Sequence, residues 1–161
     1  MMKKIIKLIT LVLTAIMTFV YSSCGNPSRD EMIEYYSDEE QYVTVKGEIN
    51  EVLLVDHYGY GDRAYSTYLN VLTYKSPWMV EGGEEWEIFK CVLYILEDSP
   101  MLEERGYKPK VGDQVSLMLV PHLWDGVDLF RVTEFWANGR CYITHEEGKE
   151  TVLKLLEDNY F

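Results

Sequence analysis

The chain is poor in the residues that most chemistries require. Its 161 residues hold three cysteines, three histidines and five prolines. Cys24, Cys91 and Cys141 form no CxxC and no His stands at ligand spacing, so a zinc finger has no support. No two of His57, His122 and His145 share a helical turn, which removes the HExxH type of zinc site. His57 with Asp62 and His122 with Asp125 read as solvated loop residues, and neither a metal nor another cofactor is expected. Basic residues are also scarce, 15 Lys plus Arg against 27 Asp plus Glu, for a formal charge of −12. Nucleic-acid binding draws its affinity from clustered Lys and Arg at phosphates, and no such cluster occurs in the body of the chain. There is no GxSxG, P-loop or GxGxxG, so a nucleophile elbow or a phosphate cradle has no support. Acidic pairs do occur, at Glu84-Glu85 and Glu146-Glu147, but they read as solvated turns or helix caps. The chain has no internal repeat and no low-complexity tract.

What is present suffices for one folded domain: 47% apolar and 14% aromatic residues in a length typical of a single domain. The first 23 residues stand apart from it. Lys3, Lys4 and Lys7 precede an apolar run over 8–20, and no acidic residue occurs before Asp30, which is the pattern of a secretory signal peptide. The run is too short for the ~20 residues of a transmembrane helix. It leads into Tyr21-Ser22-Ser23-Cys24-Gly25-Asn26. This segment resembles the lipobox of bacterial lipoproteins, in which a Cys preceded by small residues is lipidated on sulfur and becomes the mature N-terminus. Tyr21 stands where Leu is usual, and the Ser-Cys-Gly ending is similar to lipoproteins of the Bacteroidetes type, where that position is looser. The resemblance implies a lipid at Cys24 and a place in the cell envelope, at the outer membrane, on its periplasmic face or at the cell surface. Acyl chains contribute ~0.8 kcal/mol per buried methylene, so two or three hold a domain at a bilayer almost permanently. Loss of Lys3, Lys4 and Lys7 takes the formal charge to −15, so lipid rather than charge must anchor it. Arg29, Asp30 and Glu31 read as a solvated helix start, and acidic residues at this place also resemble surface-export signals of such lipoproteins.

Residues 24–41 are expected to form a lipidated tether and a short helix, opened by the capping-box pair Ser28 and Glu31. From Tyr42 the period changes to two, with Val43, Val45, Gly47 and Ile49 on one face. The alternation slips at Asn50-Glu51, which suggests a bulge in a long first strand, and 56–63 read as a loop. Strands follow at 65–74, with Leu69 and Val71 on one face, and at 86–97, with Phe89, Cys91, Leu93 and Ile95 on one face. Ser99-Pro100 opens a short helix over 101–105 that Gly106 can close. Val115, Leu117 and Leu119 mark a fourth strand, 129–136 a fifth, and Asn138-Gly139 a type I′ hairpin into a sixth at 140–143. Thr144 and Glu147 form a second capping box, and Val152, Leu155 and Leu156 supply the apolar face of a terminal helix.

This order, a bent strand, two strands, a short helix and two more strands, resembles the OB-fold, a small five-stranded barrel. Gly47 in the bent first strand and Val111-Gly112-Asp113 before the fourth carry the likeness. The domain then covers 42–161, mainly β with short helices, with a C-terminal hairpin and helix added to the barrel. An α+β antiparallel sheet is the alternative. The OB likeness implies a ligand face flanked by the loops after strands one and four. Those loops bring Tyr58, Tyr60 and Arg63, with His57, to one side, and His122 and Trp124 to the other. Their aromatics either offer flat surface for stacking or plug the barrel ends. Cys91 and Cys141, both at inward positions, read either as two buried thiols or as a disulfide. The expected function is a non-enzymatic binding or envelope-assembly module, because no catalytic motif accompanies the lipobox. A strongly acidic surface opposes anionic partners, which leaves a protein, a peptide or a neutral glycan. The alternative is a carbohydrate-active enzyme or a glycan-binding protein.

Overall fold

The computed structural model describes residues 27–59, 63–74, 85–123 and 128–158. Residues 1–26, Cys24 among them, and Tyr60 and Trp124 lie outside the described residues. Helix α1 (Arg29–Ser37) opens with the expected capping box: the Glu31 N–H donates to Ser28 Oγ, and the Ser28 N–H donates to Glu31 Oε2 at 2.7 Å. A 3₁₀ turn, Glu39–Gln41, leads into the strands. These are β1 (Val43–Gly59), β2 (Ala64–Tyr74), β3 (Trp86–Leu96), β4 (Gln114–Pro121), β5 (Phe130–Ala137) and β6 (Arg140–Ile143), followed by helix α2 (His145–Glu157). They pair in the order β3-β2-β1-β4-β5-β6, and a parallel pairing of β3 with β5 closes five of them into an OB-fold-like barrel.

Closure depends on β1 serving two neighbours. Residues Val43 to Glu48 pair with β4, while Gly47 to Gly59 pair with β2, so Gly47 and Glu48 belong to both ladders. The chain can bend there because Gly47 lacks a Cβ, which would lie 2.4 Å from the Leu72 carbonyl oxygen. Register shifts against β2, the first of them between Ile49 and Glu51, bend the strand further, at the place the broken alternation marks. Inside the barrel, Ile49, Leu69, Val71, Phe89, Leu93, Leu117, Leu119 and Phe135 are buried with Cys91.

Several expectations need correction. Strand β1 continues through the expected loop as far as Gly59, because Thr67 stitches its irregular segment. The Asp56 N–H donates to Thr67 Oγ1, which donates in turn to Asp56 Oδ1 at 3.0 Å, and this holds Asp56 at a φ of 44°. His57 and Tyr58 are therefore strand residues. The helix expected over 101–105 is a single turn, closed by the Arg105 N–H on the Met101 carbonyl and ended by Gly106 at a φ of 84°. It is short because residues within and just after it are drawn into the barrel: Leu102 and Tyr107 are buried in the core, and the Tyr107 hydroxyl donates to Asp113 at 2.9 Å. The second capping box is half formed. The Glu147 N–H reaches Thr144 Oγ1, but the Glu147 carboxylate takes both terminal nitrogens of Arg105, at 2.5 and 3.2 Å.

The Cys91–Cys141 pair is not formed, and both thiols are free. Cys91 lies beside Phe130 and Cys141 beside Trp136, stations six residues apart on β5, or about 20 Å at ~3.3 Å per residue. A disulfide needs Cα atoms within ~7 Å. Cys91 points into the core, while Cys141 shares the outer face with Trp136.

Two helices form a second layer outside the barrel. Helix α2 lies across β5 and β3, with Leu155 over Val92, Tyr94 and Ala64. Met32 and Tyr36 of α1 join Val152, Leu156 and Val120 in a further cluster. Between the layers the Arg131 side chain is fully buried, its guanidinium 5.0 Å from the Tyr36 ring centre and 5.6 Å from that of Tyr94. Glu39 clasps the layers together at the surface, accepting from Lys149 and contacting His145 Nε2 at 3.0 Å, while His145 Nδ1 meets Thr133 Oγ1. Among the described residues no helix is long and apolar enough to cross a membrane.

Candidate functional site

The outer face of β2 and β3 is built by strict pairing. Tyr74 faces Trp86, Leu72 faces Ile88, Asn70 faces Lys90, Tyr68 faces Val92, and Ala64 faces Leu96. Period two puts all ten on one surface. That surface is divided. At one end α2 roofs Ala64, Val92 and Tyr94 with Leu155. At the other end Tyr74 is 45% exposed, Trp86 56% and Ile88 50%. The two rings lie 4.9 Å apart at an interplanar angle of 49°, and the Tyr74 hydroxyl donates to Glu85 at 3.0 Å. A polar belt separates the halves, with the Asn70 amide on Glu51 at 2.8 Å and Lys90 near Asp128 at 3.4 Å. The open half is thus an aromatic and aliphatic strip bordered by Glu51 and Glu85. It can pack an apolar side chain flanked by basic groups.

The residues read from the sequence are placed differently. Tyr58 is 47% exposed at the end of β1, its ring 4.3 Å from Tyr65, whose hydroxyl donates to that of Tyr58 at 2.6 Å. His57 is exposed beside it, and Arg63 forms a surface ion pair with Glu97 at 3.5 Å. These three gather where β1 ends and β2 begins. His122 does not join them. Along β3 the start of β2 at Ala64 meets Leu96, whereas β5 enters at Cys91, a separation of about 16 Å. The root of the β4–β5 loop is also covered: Tyr35 donates to the Pro121 carbonyl, and the Leu123 N–H donates to the Tyr36 hydroxyl.

His122 is half-buried, with Nε2 3.4 Å from Arg131 Nη2. An arginine only donates, so this nitrogen accepts and the imidazole is neutral. Burial first, and the Arg131 charge second, hold its pKa down at about 4. The unfolded chain takes up the proton near pH 6.5, so stability is complete above that pH and falls as pH drops towards 4. Proton NMR is expected to show the His122 ring titrating near pH 4. A His122 midpoint near 6.5 would refute the buried contact.

Trp86, Tyr74, Leu72 and Ile88 were missed as a surface because each sits within a strand pattern that satisfied the core by itself. A signal was present. With Leu69, Val71, Phe89 and Cys91 facing inward, these four occupy the opposite parity, where a solvated face should carry polar residues. Among the described residues no group of three or more His, Cys, Asp and Glu is placed to hold a metal ion. No family model, curated protein or solved structure matches the chain.

Proposed function

We propose that this chain is a lipid-anchored, non-enzymatic binding or assembly module of the bacterial cell envelope, whose partner is a protein or peptide docking on the open half of the β2–β3 face. The observation that carries the reading is the Tyr74–Trp86 pair, exposed with Ile88 on a barrel face whose other half is roofed. Exposed large aromatics on rigid strands supply contact area at little entropic cost, as binding hot spots require. The acidic border and the net charge favour a partner with basic groups around its apolar contact. The Cys24 lipobox supports the anchor. The four residues 25–28 between the lipid and α1 span about 14 Å at full extension, which keeps the domain close to the membrane surface.

Two experiments test this. Mass spectrometry of the mature protein is expected to find acyl chains on Cys24, and Cys24→Ala is expected to leave an unprocessed precursor or release the protein from the membrane fraction. A wild-type protein without acyl mass would remove the anchor. For the face, a photo-crosslinking residue at Ile88 in living cells is expected to trap one discrete protein adduct, while the same probe at exposed Val111 does not. Trp86→Ala should abolish the adduct and change stability by no more than about 0.5 kcal/mol, as exposed positions do. Identical adduct patterns from both positions would sink the docking face.

A further inference from the structure

A different part of the barrel wall carries a second feature. On the outer face of β1, β4 and β5, Lys46 pairs with Ser116, and Ser116 pairs with Trp136. The short serine on the central strand lies between two long side chains, and a trough of about 540 Å³ results. Its size falls within the ~300–1,000 Å³ of small-molecule sites. Trp136 forms one wall and is 38% exposed. Its ring is held at one edge, because the indole Nε1–H donates to Glu134 Oε1 at 2.6 Å. Among the described residues no hydrogen bond uses Glu134 Oε2, and Lys46 has no ion-pair partner. Thr44 and Gln114 complete the polar lining.

We propose that this trough binds a pyranose ring of a neutral glycan, with Trp136 as the stacking platform. The wall chemistry selects this ligand. A pyranose has an apolar face of C–H groups that matches a fixed indole plane, and a rim of hydroxyls that both donate and accept. Glu134 Oε2 accepts from such a hydroxyl, the Lys46 ammonium donates to one, and Ser116 and Thr44 do either. A purely apolar ligand would leave Lys46 and Glu134 desolvated without partners. An anionic sugar is opposed by Glu134 and by the net charge of the domain. The trough shares no residue with the β2–β3 strip, so the two proposals fail separately.

The test uses full-length protein in a detergent without a sugar headgroup, labelled with ¹⁵N at its four tryptophans. The Trp136 indole resonance is assigned by its loss in Trp136→Phe. Cellohexaose, chitohexaose, laminarihexaose and maltohexaose are titrated one at a time. At least one is expected to shift the Trp136 resonance with saturation, at a Kd of about 1 mM or tighter. Trp136→Ala, at an exposed position, should weaken that sugar about tenfold, the consequence of losing a stacking contact worth ~1 kcal/mol or a little more. Trp136→Phe should retain part of the binding, and Lys46→Met should weaken it less than Trp136→Ala does. The proposal is overturned if no hexaose shifts the Trp136 resonance up to about 10 mM, if only another indole responds, or if hexagalacturonate binds as tightly as the neutral sugars.

Discussion

Gly148→Ala is expected to destabilise the protein by about 2 kcal/mol or more, although alanine is the better helix former. On an exposed helix the same change stabilises by ~1 kcal/mol. Here the new Cβ would sit 2.1 Å from the Thr133 carbonyl oxygen and 2.7 Å from two more backbone atoms of that residue. None of these is the end of a flexible side chain, so α2 must lift from β5. Overpacking costs ~1 to 3 kcal/mol, sometimes more, and lifting α2 also loosens Leu155 from Val92 and Tyr94. The steric cost therefore exceeds the propensity gain. Urea unfolding measures the sign, and amide exchange locates it: protection in α2 should fall before protection in β1 and β4. Unchanged or higher stability would show that the helix does not rest on the β5 backbone.

Gly47→Ala is expected to cost about 3 kcal/mol, and for a chain of this length to lower the melting temperature by about 6 to 12 °C. Its Cβ would meet the Leu72 carbonyl oxygen at 2.4 Å, Val71 Cγ1 at 2.9 Å and Thr73 Cγ2 at 3.0 Å. All three belong to β2, and the clash falls at the residue where β1 pairs with β2 and β4 together. Parting the strands there breaks ladder hydrogen bonds on the seam of the barrel. Gly112→Ala is the control: it has a positive φ of 91° but open space around its Cβ position, so only the ~1 to 2 kcal/mol of left-handed strain applies. Thermal melts of the two variants should rank Gly47→Ala as the more damaged. The reverse order would mean that β1 does not bend at Gly47.

These two glycines show where reading the sequence succeeds. Gly47 stands out because it interrupts an alternating strand, and the period, a glycine and a slipped register are all local signals of a bend. Gly148 gives no such signal. Inside an amphipathic helix it looks like a weak position, and its reason lies fifteen residues away at Thr133. The same division holds for the site. Tyr58 was read as a loop aromatic, either exposed or plugging the barrel, and proves an exposed strand residue, whereas His122 was read as a loop residue and proves half-buried against Arg131. Trp86 and Ile88 were read only as strand, and prove to be a surface.

What the sequence determined by itself was the kind and order of the elements. The period-two runs, the Ser28–Glu31 cap, the Asn138-Gly139 turn with its two positive φ angles and the apolar stripe of α2 all act within about four residues, a span in which backbone geometry leaves few choices. What only the tertiary structure decided was which faces those elements cover. Burial of Val92 and Tyr94, exposure of Trp86, the single helical turn before Gly106 and the distance between Cys91 and Cys141 depend on segments far apart in the chain. Apolar burial and steric exclusion act on whatever surface arrives there, whatever its distance along the chain.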